Sequence, residues 1–145
     1  MQTIRAKDLC IFRHNNKVLL SEAYDPAKDE HYLRPIGGSI EFGETSQQAI
    51  EREVLEEIGT EIHVLGLLEV YENLFTFNGK QGHEIVFMYH AQLKDQSIYD
   101  QPQVLGCETD GTQFIAKWFS QAEIYAPQKP VYPIGVDRVL FSNAF

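Results

Sequence analysis

Apolar and polar positions alternate in short runs along most of the chain, with one stretch of helical spacing between them. Residues 8–13 and 17–23 are β-branched and apolar around His14, Asn15 and Asn16. Asparagine tolerates positive φ, so these two runs predict a hairpin. A polar loop, YDPAKDEH, follows. Extended character resumes from Tyr32 to Ile36 and meets the paired glycines Gly37 and Gly38, where the backbone can turn sharply or approach a ligand closely. Thr45 with Gln48 three residues later reads as a capping box and Gly59 as a C-terminal stop, which predicts a helix from about Ser46 to Ile58. Residues 61–77 and 83–93 are strand-like, divided by the Asn78-Gly79 turn. A loop is expected from Lys94 to Gly111, then a short strand near Phe114 to Phe119. A terminal helix is expected over Val136 to Phe141, with Pro133 at or just before its first turn. Alternating strands and helices predict an α/β fold.

The predicted helix carries the unusual charge pattern. At roughly 100° per residue, Glu53, Glu56 and Glu57 share about a 100° arc, with Ile50, Val54, Leu55 and Ile58 on the other side. Like charges at these spacings repel by about 0.2–0.5 kcal/mol per pair, so the helix needs compensation, and a divalent cation is the simplest form of it.

Composition narrows the setting. The 145 residues suit one domain, 1–145, of ordinary globular make-up, 43% hydrophobic and 23% charged. No apolar run approaches a bilayer span and the N-terminal residues do not read as a secretory signal, which predicts a soluble cytoplasmic protein with no membrane partner. Cys10 and Cys107 fit neither a CxxC nor a Cys/His metal pattern, so reduced structural thiols are expected. A net charge of −9 argues against a nucleic acid polymer as partner. A phosphorylated small molecule remains compatible, because cations gathered by carboxylates invert the local field.

The stretch GGSIEFGETSQQAIEREVLEEIGTEI resembles the Nudix hydrolase signature. Gly38 stands five residues before Glu44, and seven more lead to Arg52, Glu53 and Val54, followed by Glu56, Glu57 and Gly59. The signature closes on an aliphatic residue, and here Thr60 takes that place. The resemblance implies an α/β/α sandwich with a mixed β-sheet and Mg²⁺-dependent hydrolysis of a pyrophosphate bond in a nucleoside diphosphate linked to another moiety. It implies metal ligands at Glu53, Glu56 and Glu57, joined by the Gly37 carbonyl, with Mn²⁺ as a substitute ion. Arg52 would orient Glu53, the candidate general base, and relatives often form homodimers. Glu44 suits the helix N-terminus electrostatically as well as it suits the metal, and Gly38 serves the turn. The segment GSIEFGET also resembles a phosphate loop, but Glu44 stands where that motif requires a lysine.

Outside the signature a further acidic ligand is expected from Glu84, Glu108 or Glu123, with Glu84 favoured because it borders an apolar strand. Arg34, before Pro35 and the glycines, is a candidate for binding substrate phosphate. His83 and His90 read as structural. Features of the ADP-ribose and coenzyme A branches are absent: Phe75 occupies the usual proline position of the first, and the upstream pattern of the second is missing. A nucleoside triphosphate, an oxidised nucleotide or a nucleotide sugar remains as the substrate class. A noncatalytic module sensing a nucleotide or sugar phosphate is the alternative.

Overall fold

In the computed structural model, which describes residues 2–125 and 129–142, the strands divide between two sheets. In chain order the elements are β1 (Ile4–Ile11), β2 (Arg13–His14), β3 (Lys17–Asp25), β4 (Glu30–Arg34), β5 (Ile36–Ser39), α1 (Ser46–Ile58), β6 (Ile62–Phe77), β7 (Lys80–Leu93), β8 (Gln103–Cys107), β9 (Gln113–Ser120), α2 (Gln121–Tyr125) and α3 (Asp137–Leu140). The first sheet runs β5-β1-β7-β6 and is mixed, because β1 and β7 are parallel while the other pairs are antiparallel. The second runs β2-β3-β9-β8, with β4 following β2 along the edge of β3 that faces away from β9, and all its pairs are antiparallel. The mixed sheet expected from the sequence is therefore accompanied by an antiparallel one.

Two apolar clusters make the layers. One joins Ile50 and Val54 of α1 to Cys10, Phe12, Leu19, Ile36, Tyr89 and Ala91. The other joins Ile124 of α2 and Leu140 of α3 to Leu9, Ile11, Val18, Leu20, Val86 and Met88. Alternate residues of β1 and β7 thus feed opposite sides, the period-two rule of a strand covered on both faces, and the result is the α/β/α arrangement. Among the described residues no helix is long and apolar enough to cross a membrane.

Local chemistry explains the elements that the sequence predicts well. Asn15 and Asn16 have φ of 51° and 60°, which gives the two-residue turn joining β2 to β3 its mirror-image geometry. The Thr45 hydroxyl accepts from the Gln48 amide at 3.1 Å while the Gln48 side chain accepts from the Thr45 amide at 2.9 Å, and α1 ends at Gly59 with φ of 76°. Helix bounds and capping box match the expectation.

Leu55 corrects the helical reading. It is 48% exposed, whereas Ala49, Ile50, Glu53, Val54 and Glu57 are buried. The buried side of α1 is therefore centred nearer Glu57 and Ile50 than Val54 and Leu55. The stretch read as a loop from Lys94 to Gly111 holds a 3₁₀ turn, Gln96–Asp100, and the whole of β8. Asp95 caps the turn by accepting from the Ser97 amide at 3.0 Å, and Ile98 is buried beneath it. The terminal helix is shorter than expected, Asp137–Leu140, and the short α2 before it was not anticipated.

Candidate active site

Helix α1 packs against β1, β5, β6 and β8, so its acidic side meets both sheets. At β5 the fit is tight. A Cβ on Gly37 would collide with the Asp8 carbonyl of β1, and a Cβ on Gly38 would land on the Glu53 carboxyl. Glycine is needed at both places for close approach: Gly37 lets β5 pair with β1, and Gly38 makes room for Glu53.

Arg52 organises one half of the acidic cluster. Its Nε donates to Glu44 Oε2 at 2.6 Å and its Nη2 to Glu44 Oε1 at 2.9 Å. Nη2 also reaches the Ser39 carbonyl at 3.0 Å, while Nη1 reaches Glu53 Oε1 at 3.0 Å and Glu56 Oε2 at 3.2 Å. A guanidinium has five N–H donors, and these five contacts use them all. The Glu44 carboxyl, hydrogen-bonded by Arg52 and by the Glu41 amide, is drawn down to a pKa of about 2. Glu44 thus clamps the arginine, and the arginine in turn bonds one oxygen of Glu53. The compensation that the like charges require comes here largely from Arg52.

Glu57 lies outside that arrangement. It is 6% exposed, its Oε2 is buried without a hydrogen-bond partner, and burial, reinforced by the Glu53 charge, raises its pKa from 4.5 to about 8. Asp8 of β1 is in a similar position. It is fully buried, neither of its carboxylate oxygens has a partner of ordinary hydrogen-bond geometry, and its pKa rises to about 7. Burial is the main cause; the Gly38 backbone and the Arg52 charge oppose it, and the Glu53 and Glu44 charges add to it. Nothing in the sequence reading singled out Asp8, which begins an apolar run. A carboxylate inside such a run was the available signal.

Of the residues expected at the site, Gly38, Glu44, Arg52 and Glu53 come together and the Glu53 charge reaches Glu57, while Gly37 packs on the β1 backbone beside them and Glu56 stands at the rim with its side chain 48% exposed. Glu84 does not join them. It shares the side of β7 that carries Val86 and Met88, away from α1, and pairs with Arg5 at 3.5 Å, because strand register sends alternate side chains to opposite faces. Glu108, in the β8–β9 connection, is the better placed of the later acids: it accepts from Arg34 at 2.9 Å, and the charges of both residues reach Glu57. Arg34 thus faces the site, though engaged with a carboxylate. A cavity of about 650 Å³ opens beside Glu57, walled by Leu105, Phe114 and Ile115 and flanked by Glu22 and Lys117.

Hard divalent cations prefer oxygen ligands and keep several waters, and the donor set here is wholly oxygen. The buried, unpartnered Oε2 of Glu57 is a place where such a charge would relieve a desolvation cost. Among the described residues, no three His, Cys, Asp or Glu side chains yet converge closely enough to grip an ion. Arg52 meanwhile holds one oxygen each of Glu53 and Glu56.

Thr60 has a local explanation. It is 4% exposed, donates to the Glu61 carbonyl at 2.8 Å and accepts from the Asp95 amide at 3.0 Å, tying the end of α1 to the loop after β7. An aliphatic side chain could not make that tie.

The chain as a whole is similar to known proteins. The family model described as the NUDIX domain matches residues 3–137. The fold resembles a NUDIX hydrolase from Nitrosomonas europaea, with 26% identity, a TM-score of 0.62 and coverage of 87% of this chain and 78% of that one. It also resembles the MutT NUDIX hydrolase from Burkholderia pseudomallei, at 18% identity, a TM-score of 0.68 and 99% and 100% coverage, and the E. coli ORF135 protein, at 21%, 0.55, and 96% and 87%. A family match from the first strand to the last helix, together with a signature folded as strand, turn and capped helix, establishes that the chain belongs to the Nudix hydrolases, pyrophosphohydrolases of nucleoside diphosphate derivatives.

Proposed function

We propose that the protein is a Mg²⁺-dependent pyrophosphohydrolase whose substrate is a nucleoside triphosphate, an oxidised nucleotide or a nucleotide sugar. The observation that carries this reading is the buried Glu57 carboxyl, left without a donor beside Glu53 on a helix whose arginine has no N–H to spare.

Glu53, Glu56 and Glu57, with the Gly37 carbonyl, would hold Mg²⁺ or its substitute Mn²⁺. When bound, the ion polarises the phosphoryl oxygens and lowers the pKa of the attacking water. The protein's own groups do the positioning. Arg52 holds Glu53 through Oε1, which leaves Oε2 to accept the proton of the attacking water. A lysine could not hold both Glu44 oxygens and Glu53 at once. Arg34 exchanges Glu108 for a substrate phosphate, and Glu108 rather than Glu84 serves as the acidic group outside the signature. The cavity beside Glu57 takes the non-reacting part of the substrate against its apolar wall. Free thiols, Cys10 buried and Cys107 exposed, suit a cytoplasmic location.

The test is a substrate panel with Mg²⁺ and with Mn²⁺, scored by release of phosphate, pyrophosphate or nucleoside monophosphate. Metal-dependent turnover of at least one of the three classes is expected. Ligand-dependent thermal shifts without turnover across the panel would assign the protein to the sensing role instead.

A further inference from the structure

Among the described residues Asp8 is the most deeply buried carboxyl, 0% exposed. Neither of its oxygens has a partner of ordinary hydrogen-bond geometry, and the approach of the Gly38 backbone offsets its burial only in part. Its place in the sheet aims it at the acidic cluster. Asp8 stands directly opposite Gly38 in the antiparallel β1–β5 pair, and residues opposite one another project to the same face, with Cβ positions about 4.5–5.5 Å apart. The Cβ direction at Gly38 runs into the Glu53 carboxyl. Asp8 therefore shares with Glu53 the space above Gly38, and its charge also reaches Glu57.

Among the described residues no cation forms an ion pair with it, and the Arg52 charge offsets its burial only in part. The donors of Arg52 are all occupied. Lys7, its neighbour in sequence, lies on the other face of β1 by the alternation of the strand, pairing in register with Ser39 and Val86. A buried, unpaired carboxylate is costly, and a strand position between Lys7 and Leu9 that faces α1 would otherwise suit an apolar residue, as Cys10 two positions on shows.

We propose that Asp8 is a further carboxylate of the divalent-cation site, standing across from Gly38 and adding a third buried carboxyl to Glu53 and Glu57. The proposal rests on the metal-dependent reading above and adds to the signature helix a residue from a different strand. Its chemical preference is for a small, hard, oxygen-seeking ion, because a two-carbon side chain held in a sheet supplies a fixed oxygen rather than an adaptable one.

Mn²⁺ binding to the full chain, measured by calorimetry or by the loss of the free-ion electron paramagnetic resonance signal, needs no turnover. Asp8→Asn, Asp8→Ala and Glu57→Gln are compared with wild type, with melting temperature recorded without metal. Both Asp8 variants are expected to weaken Mn²⁺ affinity by tenfold or more. At least one should melt at or above the wild-type temperature without metal, because a buried charge has been removed. Wild-type affinity in the Asp8 variants with weakened affinity in Glu57→Gln would overturn the role of Asp8 alone. Wild-type affinity in all three would overturn the metal site itself. A lower melting temperature with unchanged affinity would make Asp8 a purely structural residue. If Asp8→Asn does not fold, Asp8→Ala decides.

Discussion

The two halves of the acidic cluster differ in how their charge is met. Glu44, Glu53 and Glu56 share one guanidinium through hydrogen bonds of 2.6–3.2 Å, and Glu44 is pulled to a pKa of about 2. Glu57 and Asp8, a short way deeper, have no such partner and are pushed up to about 8 and about 7. The same side-chain chemistry thus sits on opposite sides of the ordinary carboxylate range. The satisfied half is built by the protein for itself, and the unsatisfied half is where an external positive charge has most to offer. A stable fold has no use for buried carboxyls without partners, so the deeper half points to function and the Arg52 half to the scaffold that holds it.

The largest effect expected from breaking this division is at Glu57. Glu57→Gln keeps the shape and removes the charge, and should lower kcat by about 10²–10⁴-fold with no loss of thermal stability; steady-state kinetics and a thermal melt together check both parts. Gly38→Ala comes next. The added methyl displaces the Glu53 carboxyl, and a misplacement of about 1 Å costs on the order of 10²-fold in rate, visible as a fall in kcat with the helical circular dichroism preserved. Arg52→Lys attacks the satisfied half. Loss of the fork to Glu44 and Glu53 should reduce stability by about 1–3 kcal/mol in denaturant unfolding and reduce turnover as well.

The pH dependence of stability sharpens the same contrast, because the two halves carry opposite signs. A raised pKa means that the folded state binds the proton more tightly than the unfolded chain. The contribution of Glu57 is therefore fully present below about 4.5 and is lost as pH rises towards about 8. Glu44 is the reverse: its contribution is present above about 4.5 and is lost as pH falls towards about 2. Metal-free protein should lose melting temperature between pH 5 and about 8, and Glu57→Gln should flatten that decline. The smallest effect belongs to Thr60, where Thr60→Val leaves the Asp95 amide unpaired and should lower stability by about 1 kcal/mol without changing turnover.

How far the sequence could be read follows the same physical lines. The capped helix, the two Asn-containing turns and the acidic spacing are local features, set by residues within a few positions of one another, and each has its expected place in the structure. Two results depend on strand register, which no local pattern contains. Glu84 was favoured because it borders an apolar strand, yet the pairing of β7 with β1 turns it away from α1 and towards Arg5. Asp8 satisfies the same criterion, and register turns it inward opposite Gly38. β8 is legible only once its partner is known: its five residues, QVLGC, contain a glycine and are too short for a firm alternating pattern, and they pair with β9 across a turn. The many-sided role of Arg52 was partly legible, since its link to Glu53 was expected, but the clamp by Glu44 eight residues away depends on the turn around Gly43.

The most direct test of the central claim, that buried carboxyls of α1 hold a divalent cation for pyrophosphate hydrolysis, is calorimetric titration of the metal-free protein with Mn²⁺ near pH 7 in buffers of different ionisation enthalpy. The expected result is a saturable site whose binding releases protons, because Glu57 is protonated at that pH and must ionise to ligate, with both signals lost in Glu57→Gln. A saturable site that binds as tightly in Glu57→Gln, or no saturable binding in the wild type, would contradict it.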